Sequence, residues 1–405
     1  MIRNFFKSLS KITDKFQKIG IYVLFLSSFI TMLLETLGLG LIGVYVTIIV
    51  DSQVILDKIP IQNIRLYLIG LSEKDLIVFL SICLVIIFVV KNLYLIVHVY
   101  FEKKLNRSII VSNSVKLYDY YLNKPYAFFV LSSPQKIINN ISLILKLGVN
   151  HFFYGIMLFR ELVLISILFF SFIIVSWKLS VSILVILSLF TIFIYIIVKK
   201  RLDKLGQIII ESSESILQIL NESLRGIKIV QILRNNNFFI NKLKKNLFLR
   251  ETNELQHSIL QRIPKLGLEI FAIVFVILFS LFLIDSEKDP NLFLPLLATL
   301  SLILIRMVPS FTNINFAIVN LRFTSKSKLE LIRDLDQKNE QINQSLNLKQ
   351  NRNIIFKNNF FFSMKNIEFY YDIKIKVLKN ISLEFNSNKI IGFVGKSGSG
   401  KTTLV

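Results

Sequence analysis

The sequence has little of what soluble or disulfide-stabilised proteins contain. Among its 405 residues there is one cysteine, Cys83, so the chain can form neither an internal disulfide nor a cysteine-rich metal site. Charged residues make up 18% of the chain, whereas about 25% is usual for soluble domains. Hydrophobic residues make up 53% and are gathered in long runs. This composition predicts a membrane protein.

The charge that is present has one dominant sign. The formal net charge is +22, which taken alone is also typical of proteins that bind nucleic acid. The basic residues, however, are concentrated in two long polar segments, 101–151 and 200–263, and do not form one basic domain. Cytoplasmic loops of membrane proteins carry such an excess. We therefore expect the lipid bilayer, and no nucleic acid, as a partner.

Six apolar segments are each long enough to cross a bilayer, which takes about 20 helical residues. They are 21–50, 76–100, 152–176, 179–199, 264–284 and 292–310. The short connections 51–75 and 285–291 carry more acidic than basic residues. The positive-inside rule then places the N-terminus, the long polar segments and the C-terminal region in the cytoplasm. We expect a multi-pass protein of the inner or plasma membrane of a bacterial cell.

Residues 1–19 are expected to form an amphipathic helix. Apolar residues recur from Ile2 to Ile19 at three- and four-residue intervals, and four lysines recur on the opposite side. A helix of this kind lies in the membrane interface. A soluble helix that faces a protein core has the same pattern and stays open as an alternative.

The rest of the chain divides into three parts. Residues 20–335 hold the six spans, and apolar spacing typical of helices continues the spans through both long polar segments and through 311–335. Residues 336–353 are polar and almost free of aromatics, which predicts a linker. In 354–405 the short runs "MKNIEFYY", "NISLEF" and "KIIGFVG" predict strands of a second, soluble domain.

The last of these runs leads into the phosphate-binding pattern G-x-x-x-x-G-K-[ST]. Lys389 to Val394 is expected to be the buried strand that feeds the loop. Glycines let backbone N–H groups approach phosphate oxygens, Lys401 would reach the β- and γ-phosphates, and the Thr402 hydroxyl would coordinate Mg²⁺. A Gly/Ser-rich turn without a ligand is the alternative. The candidate nucleotide-binding residues of the loop are Gly395, Lys396, Ser397, Gly398, Ser399, Gly400, Lys401, Thr402 and Thr403.

Tyr371, at the end of "NIEFYY", has a ring that can stack on adenine or serve as an ordinary strand aromatic. Together with the six spans, the sequence "IEFYY…VLKNISLEF…IIGFVGKSGSGKTT" resembles a type I ATP-binding-cassette (ABC) exporter half-transporter along the whole chain. The resemblance implies a mainly α membrane protein: a six-helix transmembrane domain with long cytoplasmic helical extensions, then the N-terminal β portion of a P-loop nucleotide-binding domain. It also implies ATP and Mg²⁺ as cofactors, adenine stacking by Tyr371, and a homodimer.

The same resemblance implies two cytoplasmic coupling helices, which in this family pass ATP-driven motion to the spans. Lys124–Phe129 resembles the first, and Asn221–Gln231 resembles the region that leads into the second. The stretches "LLETLGLGLIG", "PYAFF" and "RMVPS" resemble the lipid-linked oligosaccharide flippases within the family. Pro134-Gln135-Lys136 departs from that subgroup, in which an acidic and an aliphatic residue usually follow the two serines.

A cassette domain of this family continues beyond the phosphate-binding loop. The Walker B aspartate, the catalytic glutamate, the signature motif and the switch histidine are not among the 405 residues. The resemblance therefore implies an incomplete fragment, truncated just after the loop. Without the two carboxylates no group completes the magnesium site or polarises the attacking water, so we expect no ATP hydrolysis by this chain alone.

Five charged residues lie inside apolar segments, where a charge costs at least ~2.5–3.5 kcal/mol. They are Glu35, Arg160, Glu161, Glu269 and Arg306. One interpretation is a translocation path that handles a charged head group, with Arg306 as its leading residue. The other is ion pairing between helices. Lys91 and His98, near the end of the second span, are interpreted as snorkelling or interfacial residues.

The expected function is ATP-driven transmembrane export or flipping of a lipid-linked or amphipathic substrate. A peptide, drug or lipid exporter of the same family is one alternative, and a non-catalytic truncated membrane subunit is another. Neighbouring genes for glycosyltransferases or peptide-maturation enzymes would separate the first two. Co-purification with an intact transporter would identify the third.

Overall fold

The computed structural model describes residues 2–50, 73–124, 128–129, 132–173, 177–285, 290–348, 361–372, 375–386, 390–396 and 398–404. The chain divides into two compact units. One consists of Met1–Asn123 and Pro134–Lys338, and the other of Lys124–Ser133 and Asn339–Val405. The first unit holds the long helices, and the second holds the phosphate-binding loop.

Long α-helices build the first unit. Their bounds are α1 Ile2–Ile12, α2 Lys15–Val50, α3 Glu73–Leu122, α4 Pro134–Asn139, α5 Leu145–Ile173, α6 Trp177–Arg225, α7 Ile227–Ile232, α8 Asn236–Asp285, α9 Pro290–Phe323 and α10 Ser325–Leu348. A short π-helix, Asn140–Ile144, joins α4 to α5. Because α10 runs on to Leu348, the first part of the expected linker 336–353 is helical.

Five of the six predicted spans lie within one long helix each: α2, α3, α6, α8 and α9. The third, 152–176, lies in α5 as far as Ile173, and 174–176 are outside the described residues. Within the part of the chain that the structure describes, four stretches are long and apolar enough to cross a membrane. They are Lys15–Gly38, Ile77–Leu122, Pro134–Phe170 and Ser180–Arg225. The other two predicted spans fall in α8 and α9, in which the side chains of residues 282–300 lie outside the described residues.

The predicted continuation of the spans as helices is visible in the helix lengths. α3, α6 and α8 have 50, 49 and 50 residues. At 1.5 Å per residue each is roughly 75 Å long, more than twice the ~30 Å hydrocarbon core of a bilayer. The polar halves of these helices therefore extend well beyond any membrane that the apolar halves cross.

The amphipathic helix expected over residues 2–19 is divided at Thr13 and Asp14, between α1 and α2. Asp14 occupies the position before α2, and its backbone N–H donates to the side-chain oxygen of Gln17 at 3.0 Å. This is one half of a capping box, which starts a new helix at Lys15.

The apolar face of α1 packs against other helices of the unit. Leu9 and Ile12 are buried. The ring of Phe5 lies 5.4 Å from that of Phe152 in α5, centroid to centroid. Part of the apolar surface expected at the membrane interface is thus covered by protein.

α9 is the centre of the apolar core. It packs against α5, α6 and α8, because its apolar residues recur at three- and four-residue intervals on the faces turned to those helices. The buried members of this core are Ile165, Ile183, Leu187, Leu268, Leu304, Met307, Val308, Phe311 and Ile314. Several of these side chains are fully buried, so they hold the four helices in one packed bundle.

Two glycines allow close helix approaches next to this core. A Cβ at Gly206 in α6 would lie 2.3 Å from the backbone oxygen of Phe323, where α9 ends. A Cβ at Gly148 in α5 would lie 3.0 Å from the backbone oxygen of Ser327 in α10. Real Cβ contacts essentially never fall below 3.0 Å, so the α6–α9 approach requires glycine.

Polar contacts attach α10 to the helices around it. The Tyr121 hydroxyl at the end of α3 donates to Asp334 Oδ2 at 2.7 Å, and Asn140 Nδ2 in the π-helix donates to the same oxygen at 3.1 Å. The Lys11 ammonium in α1 pairs with Asp336 at 2.6 Å. These contacts fix the start of the segment that leads to the second unit.

The described part of the second unit contains a two-stranded antiparallel sheet, β1 Phe361–Asp372 and β2 Ile375–Asn386. The rings of the paired residues Phe362 and Phe385 stack with centroids 4.8 Å apart. Cross-strand aromatic pairs of this kind stabilise a hairpin.

The expected third strand is absent from the described residues 390–396, which have no regular secondary structure. Ile390 and Val394 are almost completely exposed. The prediction of a buried strand there is therefore wrong. A buried strand of a P-loop domain needs strands beside it and helices over its faces, and among the described residues of this unit β1 and β2 pair with each other alone.

Candidate nucleotide-binding loop and intramembrane charges

Two glycines set the shape of the loop after residue 395. Gly398 and Gly400 have φ of +82° and +85°, a region that residues with a Cβ rarely adopt. The backbone N–H of Ser399 donates to the oxygen of Lys396 at 3.2 Å, which closes a tight turn. The last short helix, α11, is Lys401–Leu404.

The Lys401 side chain folds back over the loop. Its ammonium donates to the backbone oxygens of Gly395 and Lys396, at 2.6 and 2.8 Å. A positive charge is thereby held against the glycine-rich backbone of the loop. A lysine ammonium and the backbone N–H groups of such a loop are the groups that bind the phosphates of a nucleotide, so the residues present fit the polyphosphate of ATP.

β2 positions the loop. A Cβ at Gly400 would meet the side chain of Leu378 at 3.0 Å and the backbone oxygen of Val377 at 3.3 Å. Leu378 is one of the buried residues of this unit. Gly400 is therefore needed twice, for its positive φ and for its close approach to the strand.

The metal and adenine contacts of the candidate site stay predictions. Thr402, the expected Mg²⁺ ligand, is exposed. In the part of the chain that the structure describes, no group of three or more His, Cys, Asp or Glu could hold a metal ion. Tyr371 belongs to β1, but its side chain lies outside the described residues, as does Ser397.

The two expected coupling segments differ in how they are built. In the first, Phe128 and Phe129 are helical with rings 5.5 Å apart, while 125–127 lie outside the described residues. In the second, α6 ends at Arg225, and Gly226 separates it from α7. The apolar side chains of Ile229 and Ile232 in α7 are exposed.

Of the five intramembrane charges, the structure brings two together. Arg160 Nη2 donates to Oε1 of its sequence neighbour Glu161 at 3.1 Å. Arg160 Nη1 also lies 3.8 Å from Glu102 Oε2 in α3. Asn313 in α9 donates to Glu161 Oε1 at 3.2 Å. This outcome favours the ion-pair interpretation for Arg160, with Glu102 as a partner that the sequence did not indicate.

The other three intramembrane charges lie elsewhere. Glu269 lies 3.8 Å from Lys265, one turn away on α8, and about half of its side chain is exposed. Glu35 is half-buried in α2. Arg306 belongs to α9, and its side chain lies outside the described residues.

The His98 side chain does not snorkel. It is 3% exposed, and Nδ1 lies 2.7 Å from Ser27 Oγ in α2. The snorkelling interpretation is wrong because the ring is enclosed between helices. The four-residue spacing between His98 and Glu102 puts both on one face of α3, and this spacing is the signal that could have identified them.

Another histidine is half-buried where the helices extend beyond the apolar segments. The ring of His257 in α8 stacks on Phe323 with centroids 3.8 Å apart. Its neighbour Gln261 donates to Asn320 of α9 at 2.8 Å. Burial lowers the pKa of His257 to about 4, because an imidazolium there would lose its hydration.

Comparison with known proteins agrees with this architecture. Residues 21–307 match the family described as the ABC transporter transmembrane region. The ATP-dependent lipid A-core flippase 2 of Colwellia psychrerythraea is 27% identical over 299 residues, which is 71% of this chain and 48% of that protein. The lactococcin-G-processing and transport ATP-binding protein of Lactococcus lactis is 24% identical over 238 residues, 56% of this chain and 32% of that protein.

Among solved structures, a bacterial Atm1-family ABC exporter with ATP bound has the same fold. The TM-score is 0.66 at 12% identity, and the likeness covers 96% of this chain and 64% of that one. The expected exporter fold is confirmed. The chain spans about half the length of the curated relatives it matches.

Proposed function

The chain belongs to the ABC transporter family, and from this premise we propose that it forms half of an ATP-driven exporter or flippase for a lipid-linked or amphipathic substrate. Members of this exporter family are ATPase translocases. The observation that carries the proposal is one chain with six long apolar helices followed by a phosphate-binding loop. A flippase relative, the lipid A-core enzyme of Colwellia psychrerythraea, supports the substrate class.

ATP and Mg²⁺ are the proposed cofactors. The loop from Gly395 to Thr403 would hold the phosphates, Lys401 would neutralise their charge, and the Thr402 hydroxyl would bind Mg²⁺. Tyr371 would stack on the adenine ring. The fit of the loop backbone and of the Lys401 ammonium supports this assignment.

A homodimer in a bacterial cell membrane, with the N-terminus and the phosphate-binding loop in the cytoplasm, completes the proposal. The orientation is supported by the basic character of the helical extensions and the acidic short connections.

Cysteine labelling tests this orientation. Single cysteines are placed at Ser8 and at Ser286, each in a Cys83→Ser background, and a membrane-impermeant maleimide is added to whole cells. Labelling at 286 and not at 8 is expected, and the reverse pattern would contradict the orientation.

A peptide exporter is the second candidate, because a lactococcin-processing transport protein is also among the relatives. The two candidates differ in what stimulates ATP hydrolysis. An amphiphile should stimulate ATP hydrolysis by a lipid flippase, whereas a peptide should not.

Flipping by the full gene product, reconstituted in liposomes, tests the proposal directly. A fluorescent lipid analogue should become protected from, or exposed to, a membrane-impermeant quencher when ATP and Mg²⁺ are added. The Lys401→Ala variant is the matched control and should remove the ATP-dependent part. If both proteins redistribute the lipid equally, with or without ATP, the proposed function is wrong. The expectation that residues 1–405 alone turn over no ATP stays a prediction, checked by phosphate release.

A further inference from the structure

A polar cluster inside the helical bundle has more hydrogen-bonding groups than partners. One face of α3 carries Tyr94, His98 and Glu102, each four residues from the next. The cluster is completed by Ser27 of α2, Arg160 and Glu161 of α5, and Asn313 of α9. We call these seven residues the His98 cluster.

The hydrogen bonds at one end of the cluster engage only one nitrogen of the ring. His98 Nδ1 lies 2.7 Å from Ser27 Oγ, and the Tyr94 hydroxyl lies 3.1 Å from the same Oγ and 3.4 Å from the Ser27 backbone oxygen. Both tautomers of neutral His98 can pair Nδ1 with Ser27, so Nε2 is a donor in one tautomer and an acceptor in the other. Nε2 is buried and has no hydrogen-bond partner among the described residues. An unpaired buried polar nitrogen is costly, which indicates that a hydrogen-bonding group is missing from the cluster.

The neighbours of the ring leave further groups unpaired. Arg160 and Glu102 lie close enough to act electrostatically on His98. Among the described residues, Arg160 makes one hydrogen bond, from Nη2 to Glu161 Oε1, and its Nη1 is 3.8 Å from Glu102 Oε2, beyond hydrogen-bond distance. The cluster thus offers several N–H donors beside the acceptor oxygens of Glu102.

The cluster is partly exposed at Arg160 and Glu102. The side chains of Arg160 and Glu102 are 23% and 21% exposed, whereas that of Glu161 is 5% exposed. A head group would therefore approach between α3 and α5, and Asn313 with Glu161 would form the closed side.

Charge and hydrogen bonding together select the ligand. One guanidinium against two carboxylates leaves the described groups with a net negative charge, which disfavours a phosphate. An ammonium could pair with Glu102, but it has no acceptor for the donors of Arg160. A hydroxyl both donates and accepts, so it satisfies Glu102, the Arg160 N–H groups and either tautomer of His98.

We propose that the His98 cluster binds the uncharged, hydroxyl-bearing head group of an amphiphile, with His98 Nε2 and the Arg160 guanidinium hydrogen-bonded to its hydroxyl groups and Glu102 as an acceptor. This assignment rests on the proposed function, in which the transported molecule is amphipathic. It adds the chemical class of the head group and the residues that recognise it.

Nitrogen NMR of the imidazole rings tests the proposal in the 405-residue chain held in lipid nanodiscs. The chain has 3 histidines, so selective ¹⁵N-histidine labelling gives three rings, which His→Gln variants assign. Octyl glucoside, octyl phosphate and octylamine are added at equal mole fractions. ATP does not enter the measurement, so its result is independent of whether the gene product flips lipids.

Octyl glucoside should shift the His98 Nε2 signal in a saturable way, and leave the His257 signal unchanged. Glu102→Ala should weaken this binding about tenfold, since a hydrogen bond to a charged group is lost, whereas Glu251→Ala at an exposed site of α8 should not. A larger response to octyl phosphate or octylamine would overturn the assignment. So would the absence of any shift, which would mean that water satisfies Nε2, or equal binding by Glu102→Ala.

Discussion

Replacing Gly206 by alanine should separate two helices that glycine alone allows to touch. A Cβ at this position would lie 2.3 Å from the backbone oxygen of Phe323. The obstacle is backbone at the end of α9, which cannot rotate away as a side chain can. The α6–α9 spacing must therefore grow until the distance reaches at least 3.0 Å.

The expected cost follows from this displacement. Forcing extra atoms into a packed interface costs about 1–3 kcal/mol, and the stack of His257 on Phe323 lies at the same place. Alanine also favours the helix over glycine by about 1 kcal/mol, which offsets part of the loss. Gly38→Ala in α2 is the matched control, because its Cβ would meet the Phe88 ring at an ordinary 3.4 Å.

Unfolding of the purified chain by titration with a denaturing detergent, followed by circular dichroism, measures both variants. Gly38→Ala should be as stable as the unchanged chain or slightly more so. Gly206→Ala should be less stable than Gly38→Ala by about 1–3 kcal/mol. Equal stability of the two variants would refute the close approach of α6 and α9.

Three further predictions concern a hydrogen bond, a histidine and the loop. Tyr121→Phe removes the hydroxyl that donates to Asp334 and should cost about 1–3 kcal/mol in the same titration, whereas Tyr118→Phe, exposed on the same helix, should cost little. Because the pKa of His257 is about 4 when folded and about 6.5 when unfolded, the unfolded chain takes up the proton first as the pH falls. Stability should drop between pH 6.5 and 4 by about 2–3 kcal/mol, and a pH profile of His257→Gln that shows the same drop would contradict this cause. Lys401→Ala should weaken the binding of a fluorescent ATP analogue at least about tenfold, and unchanged binding would remove Lys401 from the phosphate site.

The long elements could be read from the sequence because their signals are local. A run of twenty or more apolar residues crosses a bilayer as an α-helix, which pairs all of its backbone polar groups internally. The basic extensions of α3, α6 and α8 retain helical spacing. The division between α1 and α2 was missed, although Asp14 and Gln17 have the spacing of a capping box. The strand expected at 390–394 was wrong, since a buried strand depends on neighbours that its own residues do not specify.

The sequence by itself determined the class of membrane protein, the positions of the spans and the phosphate-binding pattern, because each depends on residues that are close together in the chain. Only the tertiary structure decided which polar groups meet inside the bundle. Arg160 and Glu161 are neighbours in sequence, but Glu102, Asn313 and Ser27 reach the same place from three other helices. Helix packing sets these distances, and a buried charge or imidazole takes its chemistry from the groups that packing places beside it.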